Sequence, residues 1–118
     1  MELTITSQNL NKPSFGAIKY EAAKDTLREV LSLNELQHFK EMVNAHSGNK
    51  YVDAIFFGDG KKLTGRVVDA MSGSSYYSKD YTPRLFEKKM DFIKRIVKYM
   101  VDRTQKAKEL YEKQKFEF

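Results

Sequence analysis

The sequence predicts a single α+β domain in which a small antiparallel sheet is covered on one face by helices. Two β-rich runs, about 51–57 and 63–69, flank Asp59-Gly60 and predict a hairpin. Helical periodicity precedes this hairpin, and a long amphipathic helix at 83–115 follows it. A length of 118 residues is typical of one domain, so we treat 1–118 as a single unit.

The part of the chain before the hairpin predicts one short strand and two helices. Glu2–Thr6 alternates polar and apolar residues, as a strand does, and a helical pattern begins at about Glu21. Ser32 and Glu35 have the spacing of a capping box, so a second helix should start after Ser32. Gly48 can end that helix in the left-handed conformation. The expected buried stripe of the second helix is Leu36, Phe39 and Val43.

The hairpin is the best-determined element of the sequence. If Asp59-Gly60 is the loop of a type I′ turn, paired residue numbers sum to 119 and Asp53 lies opposite Arg66. The same register places only apolar residues and glycine on one face, which we assign to the core. That face consists of Val52, Ala54, Phe56, Leu63, Gly65 and Val67.

The pattern of the last third of the chain predicts one helix with an apolar seam. Thr82 is the expected N-cap and Pro83 the first helical residue. The seam residues, three or four apart, are Phe86, Met90, Ile93, Val97, Met100, Thr104, Ala107 and Tyr111. Leu85, Phe92 and Ile96 widen the seam before Val101, so that half should cover the sheet, with Ile93, Ile96 and Val97 in the core.

The end of this helix is expected to extend beyond the domain. About 33 residues span roughly 50 Å, whereas a domain of this size is nearer 35 Å across. Beyond Val101 the seam narrows to a thin line, as at a coiled-coil edge. We therefore expect an association surface for a second copy or a partner protein, the alternative being an idle, frayed end. A loop at 72–78, rich in Ser, Gly and Tyr, resembles binding loops in composition, and the favoured alternative is a polar connection whose tyrosines lie on the sheet. The predicted partner-binding residues are Tyr76, Tyr77, Tyr81, Thr104, Ala107, Leu110 and Tyr111.

The charge distribution suggests an alternative function. Residues 1–82 carry ten Lys/Arg and ten Asp/Glu, whereas residues 83–118 carry eleven Lys/Arg and six Asp/Glu. A ridge of cations opposite the seam could bind nucleic-acid phosphates. Carboxylates at i,i+4 spacing beside it are also typical of an ordinary solvated helix face. The ridge consists of Arg84, Lys88, Arg95, Lys106 and Lys113.

Composition argues against several other classes. The chain has no cysteine and two histidines, and no stretch is apolar enough to cross a membrane. Glu35-x-x-His38 occurs once, whereas a carboxylate-bridged metal site needs the motif twice. Asp53 and Asp69 could act as acid and base, but the register pairs them with Arg66 and Lys50. We therefore expect a cytoplasmic, non-catalytic interaction or regulatory protein without metal or cofactor, and a small enzyme only as a third alternative.

Overall fold

The computed structural model describes residues 18–70 and 77–117, and within them it confirms the α+β class. The predicted strand at Glu2–Thr6 and the predicted binding residue Tyr76 lie outside the described residues. The described strands are β1 (Ile18–Lys19), β2 (Val52–Asp59), β3 (Lys62–Asp69) and β4 (Ser78–Tyr81). The α-helices are α1 (Lys24–Val30), which one 3₁₀ turn at Glu21–Ala23 precedes, α2 (Leu33–Ala45) and α3 (Lys89–Glu117).

The sheet is mixed and not antiparallel throughout. Its strand order is β1-β2-β3-β4. β1 runs parallel to β2, with Ile18 opposite Ala54, and the other two pairs are antiparallel. The helices α1 and α2 connect β1 to β2, and a helical crossover of this kind is what a parallel pair requires.

The hairpin exists, but its predicted register is wrong by two residues. Asp53 lies opposite Val68, and Arg66 lies opposite Ile55. Asp59 pairs with Lys62, so the two loop residues are Gly60 and Lys61. Gly60 has a φ of 62°, as the first position of a type II′ turn requires. Side chains alternate with a period of two, so this shift leaves every residue on its predicted face.

The core lies between the apolar face of the sheet and the helices. Phe39 of α2 packs edge-on against Phe56, with ring centroids 5.9 Å apart. Gly65 lets α3 approach closely, since a Cβ there would lie 3.2 Å from Cγ1 of Ile96. Leu36 and Val43 are only partly buried. The predicted core residues that are buried are Phe39, Val52, Ala54, Phe56, Leu63, Gly65, Val67, Ile93, Ile96 and Val97.

The two predicted signals at the ends of α2 have different outcomes. The capping box is present: Glu35 N–H donates to Ser32 Oγ at 3.2 Å, and Ser32 N–H donates to Glu35 Oε1 at 2.9 Å. Gly48 does not adopt the left-handed conformation. The helix ends earlier, at Ala45, and the N–H of His46 bonds to the carbonyl of Met42 at 3.1 Å.

Candidate interaction surface

The long helix begins at Lys89, not at Pro83, because residues 84–87 form a separate turn. The N–H of Glu87 donates to the carbonyl of Arg84 at 3.0 Å, and Arg84 N–H donates to Oε1 of Glu87 at 2.8 Å. Phe86, the third residue of this turn, has a φ of 66°, a conformation that favours glycine. This conformation makes a continuous helix from residue 83 impossible.

The turn exposes two large apolar side chains that the sequence assigned to the helix seam. Leu85 is 84% exposed and Phe86 is 93% exposed. A single exposed apolar residue is ordinary on a protein surface. Two adjacent ones at the apex of a turn form a small apolar projection, which we call the Leu85–Phe86 tip.

An ion pair anchors the Leu85–Phe86 tip to the helix. Arg95 Nε and Nη2 donate to the two carboxylate oxygens of Glu87 at 2.8 and 2.9 Å, and Nη2 also donates to the carbonyl of Thr82 at 3.0 Å. The Arg95 and Glu87 side chains are only 13% and 12% exposed. The hydrogen bonds from Arg95 lower the pKa of Glu87 to about 2. One guanidinium therefore holds Glu87, the last residue of the turn, and Thr82, two residues before its start.

The predicted binding residues Tyr77 and Tyr81 contact α3. The hydroxyl oxygens of Tyr77 and Tyr81 are 3.4 Å apart, and the ring of Tyr81 lies 4.9 Å from that of Tyr99. The guanidinium of Arg103 lies 4.3 Å from the ring centre of Tyr77. Burial raises the pKa of Tyr81 to about 12, and the contact with Tyr77 adds to the effect. These rings therefore join β4 to the helix.

The second half of the predicted seam is covered by the chain itself. Asn49 Nδ2 donates to Oγ1 of Thr104 at 2.8 Å, and the Tyr51 and Tyr111 rings meet with centroids 6.2 Å apart. Ala107 is 7% exposed and belongs to the core, and Leu110 is half-buried. Ala107 is therefore part of the monomer core, and the use of this segment as an association surface stays a prediction. Residues 49–51 pack across the second half of α3. The spacing of residues along α3 alone does not predict that contact.

The predicted basic ridge is not one continuous exposed row. Arg95 is held by Glu87, and Arg84 Nη2 lies 3.4 Å from the hydroxyl of Tyr99. Arg84, Lys88, Lys106 and Lys113 are exposed. These exposed cations lie along the turn and the helix from residue 84 to residue 113, and nucleic-acid binding along this face stays a prediction.

The two acidic residues considered for catalysis are both buried in ion pairs that differ from those predicted. Asp53 accepts from Lys19 Nζ at 3.0 Å. Asp69 accepts from Arg103 Nε and Nη2 at 2.9 and 2.8 Å, which raises the pKa of Arg103. The two carboxylates lie on opposite faces of the sheet, so they share no common site.

In the part of the chain that the structure describes, no group of three or more His, Asp or Glu side chains could hold a metal ion. No helix within those residues has the length and apolar character needed to span a membrane.

Comparisons with known proteins assign no family to this architecture. The chain matches no protein-family model, no curated protein and no solved structure. Its function must therefore be inferred from the described surfaces.

Proposed function

We propose that this chain is a non-catalytic interaction protein that docks on a partner protein, with the Leu85–Phe86 tip as its anchor. The observation that carries the proposal is the exposure of two adjacent large apolar side chains, 84% and 93%, on a turn held by an ion pair. Binding energy at protein interfaces is concentrated in a few such anchors, which fill pockets on the partner. The tip leads directly into α3, so the docking region includes the start of the C-terminal helix.

The conformation of Phe86 supports this assignment. A non-glycine residue in the left-handed region costs about 1 to 2 kcal/mol, and glycine would avoid that cost. The ion pair between Glu87 and Arg95 maintains the turn despite this cost. A tip that is already ordered also loses little entropy when a partner binds.

The charges around the tip indicate the chemistry of the partner. Arg84 and Lys88 are exposed on either side of the tip. The intervening carboxylate, Glu87, is already paired with Arg95. The complementary surface is therefore an apolar pocket bordered by carboxylates. A twofold homodimer in which one tip packs on the other would bring these cations together, so that arrangement is disfavoured.

Site-specific photocrosslinking tests the proposal. A photoreactive phenylalanine analogue is placed at position 86 and, as a matched control, at Leu33, which is 85% exposed at the start of α2. In cells that express the protein, we expect one discrete protein adduct from position 86 and none from position 33. Equal adducts at both positions, or sedimentation of the purified protein with anionic lipid vesicles, would contradict docking on a protein through this tip.

Once the partner is purified, Phe86→Gly separates binding from folding. Glycine removes the side chain and the conformational strain together, so the thermal midpoint should stay equal or rise while the affinity falls at least tenfold. Leu33→Gly is the control for loss of a large exposed apolar side chain elsewhere on the surface. A Phe86→Gly variant that binds as tightly as the original protein would exclude the tip as the anchor.

A further inference from the structure

A pocket between α1 and α2 has an apolar floor and a basic rim. Its volume is about 230 Å³. Tyr20, Leu27, Leu36 and Phe39 form the floor. Lys24, Arg28 and Lys40 form the rim, and no carboxylate of the described residues lines the pocket. The pocket lies outside the Leu85–Phe86 tip, so a ligand bound there is independent of the proposed function.

The floor of this pocket is part of the packed core. Leu27 and Phe39 are buried. The Tyr20 and Phe39 rings meet edge-on at 5.2 Å, and Phe39 in turn contacts Phe56. These contacts hold the aromatic rings in place, so an aromatic ligand would find a preformed surface.

The rim brings cations together with little compensation. Lys24 and Arg28 lie one helical turn apart on α1, and Lys40 comes from α2. Among the described residues, no ion pair includes Lys24 or Lys40, and the Arg28–Asp25 pair is long, 3.8 Å, and largely exposed. Exposed ion pairs of this kind contribute little to stability. An anion held at the rim would be attracted to all three cations.

The volume limits the size of the ligand. An apolar cavity of about 150 Å³ binds benzene, so 230 Å³ holds one or two fused rings with a short acidic arm. We infer that this pocket binds a small aromatic carboxylate, with its ring on the floor and its carboxylate among Lys24, Arg28 and Lys40.

A pair of probe ligands tests the requirement for charge. Binding of 2-naphthylacetate and of its neutral isostere, 2-naphthylacetamide, to the full chain is followed by amide chemical-shift changes. We expect the acid to bind at least fivefold more tightly than the amide, with shifts centred on Tyr20, Leu36 and Phe39. Equal affinities for the two probes, or shifts centred elsewhere in the protein, would overturn the assignment.

Variants of the rim test the residues. The double variant Lys24→Gln/Lys40→Gln should weaken the acid at least fivefold and leave the amide unchanged. Lys108→Gln is the control, because Lys108 is an exposed lysine that lines a different groove, between residues 46–51 and α3. All three lysines are exposed, so these variants should fold. An unchanged affinity of the double variant for the acid, or an equal loss in the control, would refute the inference.

Discussion

The two halves of α3 are attached to the rest of the domain by different means. In the first half, Phe92, Ile93, Ile96 and Met100 are completely buried against the apolar face. In the second half, the attachments of Arg103 and Thr104 are polar, to Asp69 and Asn49. Ala107 and Tyr111 add two smaller apolar contacts. A helix with a narrow apolar seam can therefore still pack on its own domain.

The two modes of attachment differ in energy per contact. Fully burying a large apolar side chain contributes about 1.5 to 3 kcal/mol. A neutral hydrogen bond such as that between Asn49 and Thr104 contributes roughly 0.5 to 1.5 kcal/mol net, and only the Arg103–Asp69 pair in the second half is stronger. The first half should therefore unfold only with the whole domain. The second half should open locally at lower cost.

The largest effect is expected in the first half. Ile93→Ala or Phe56→Ala should lower the free energy of unfolding by about 2 to 5 kcal/mol, since each leaves a cavity in a packed core. Val101→Ala is the control, because Val101 is 46% exposed on the same helix, and it should cost less than about 0.5 kcal/mol. Chemical denaturation measures all three. A midpoint for Ile93→Ala close to that of Val101→Ala would show that the first half is not packed as described.

The polar attachment of the second half can be broken at Arg103. Its loss leaves Asp69 buried without its partner, so Arg103→Met should cost about 3 kcal/mol. Replacing both residues, as Asp69→Leu/Arg103→Met, should cost less than the sum of the single changes, because no charge is then left unpaired. A double-mutant cycle in denaturant measures this coupling. Additive single effects would mean that the ion pair does not join helix and sheet.

Truncation shows at which residue α3 stops contributing to the stability of the monomer. Removing residues 105–118 deletes Ala107 and Tyr111 and should lower stability by about 1 to 3 kcal/mol through lost apolar burial. Removing only 113–118 is the matched control, and we expect its thermal midpoint to stay nearly unchanged. If both truncations leave the midpoint unchanged, the contacts at Tyr51 and Ala107 do not stabilise the monomer.

The last effect concerns the turn that precedes the first half, and it is confined to acid pH. The pKa of Glu87 is about 2 in the folded chain, against an ordinary value of 4.5. The ionised Glu87 carboxylate therefore stabilises the folded state fully above pH 4.5, and this stabilisation is lost as the pH falls towards 2. The loss is on the order of 2 kcal/mol after allowance for solvent screening. Glu87→Gln should flatten the stability profile over that interval, and Glu112→Gln, an exposed control, should not. Identical acid profiles for the original protein and Glu87→Gln would contradict the anchoring role of this pair.

Several elements were predictable because their determinants are local. Ser32 and Glu35 are three residues apart and cap α2 as expected. Alternation along β2 and β3 identified the core face, and that identification survived a register shift because the shift equals one full period. The register depended on whether Asp59 or Gly60 occupies the first position of the turn, and the dipeptide alone does not decide between them.

The candidate site was not predictable from the sequence. Leu85 and Phe86 fit the spacing of the helix seam. Phenylalanine rarely adopts a positive φ, so its presence does not predict the conformation found at position 86. The turn depends on the contact between Glu87 and Arg95, eight residues apart, which is not a spacing that helical neighbours use. Local preference therefore pointed to helix where a longer-range ion pair stabilises a turn.

The sequence by itself determined the class of fold, the core face of the hairpin, the capped second helix and the burial of Ile93, Ile96 and Val97. Each depends on the periodicity of a single element or on neighbours within a few residues. Only the tertiary structure decided the parallel first strand, the exposed Leu85–Phe86 tip and the coverage of Thr104 and Ala107. These features depend on contacts between residues far apart in sequence, such as Asn49 with Thr104 and Asp69 with Arg103, and such contacts form only when distant segments pack together.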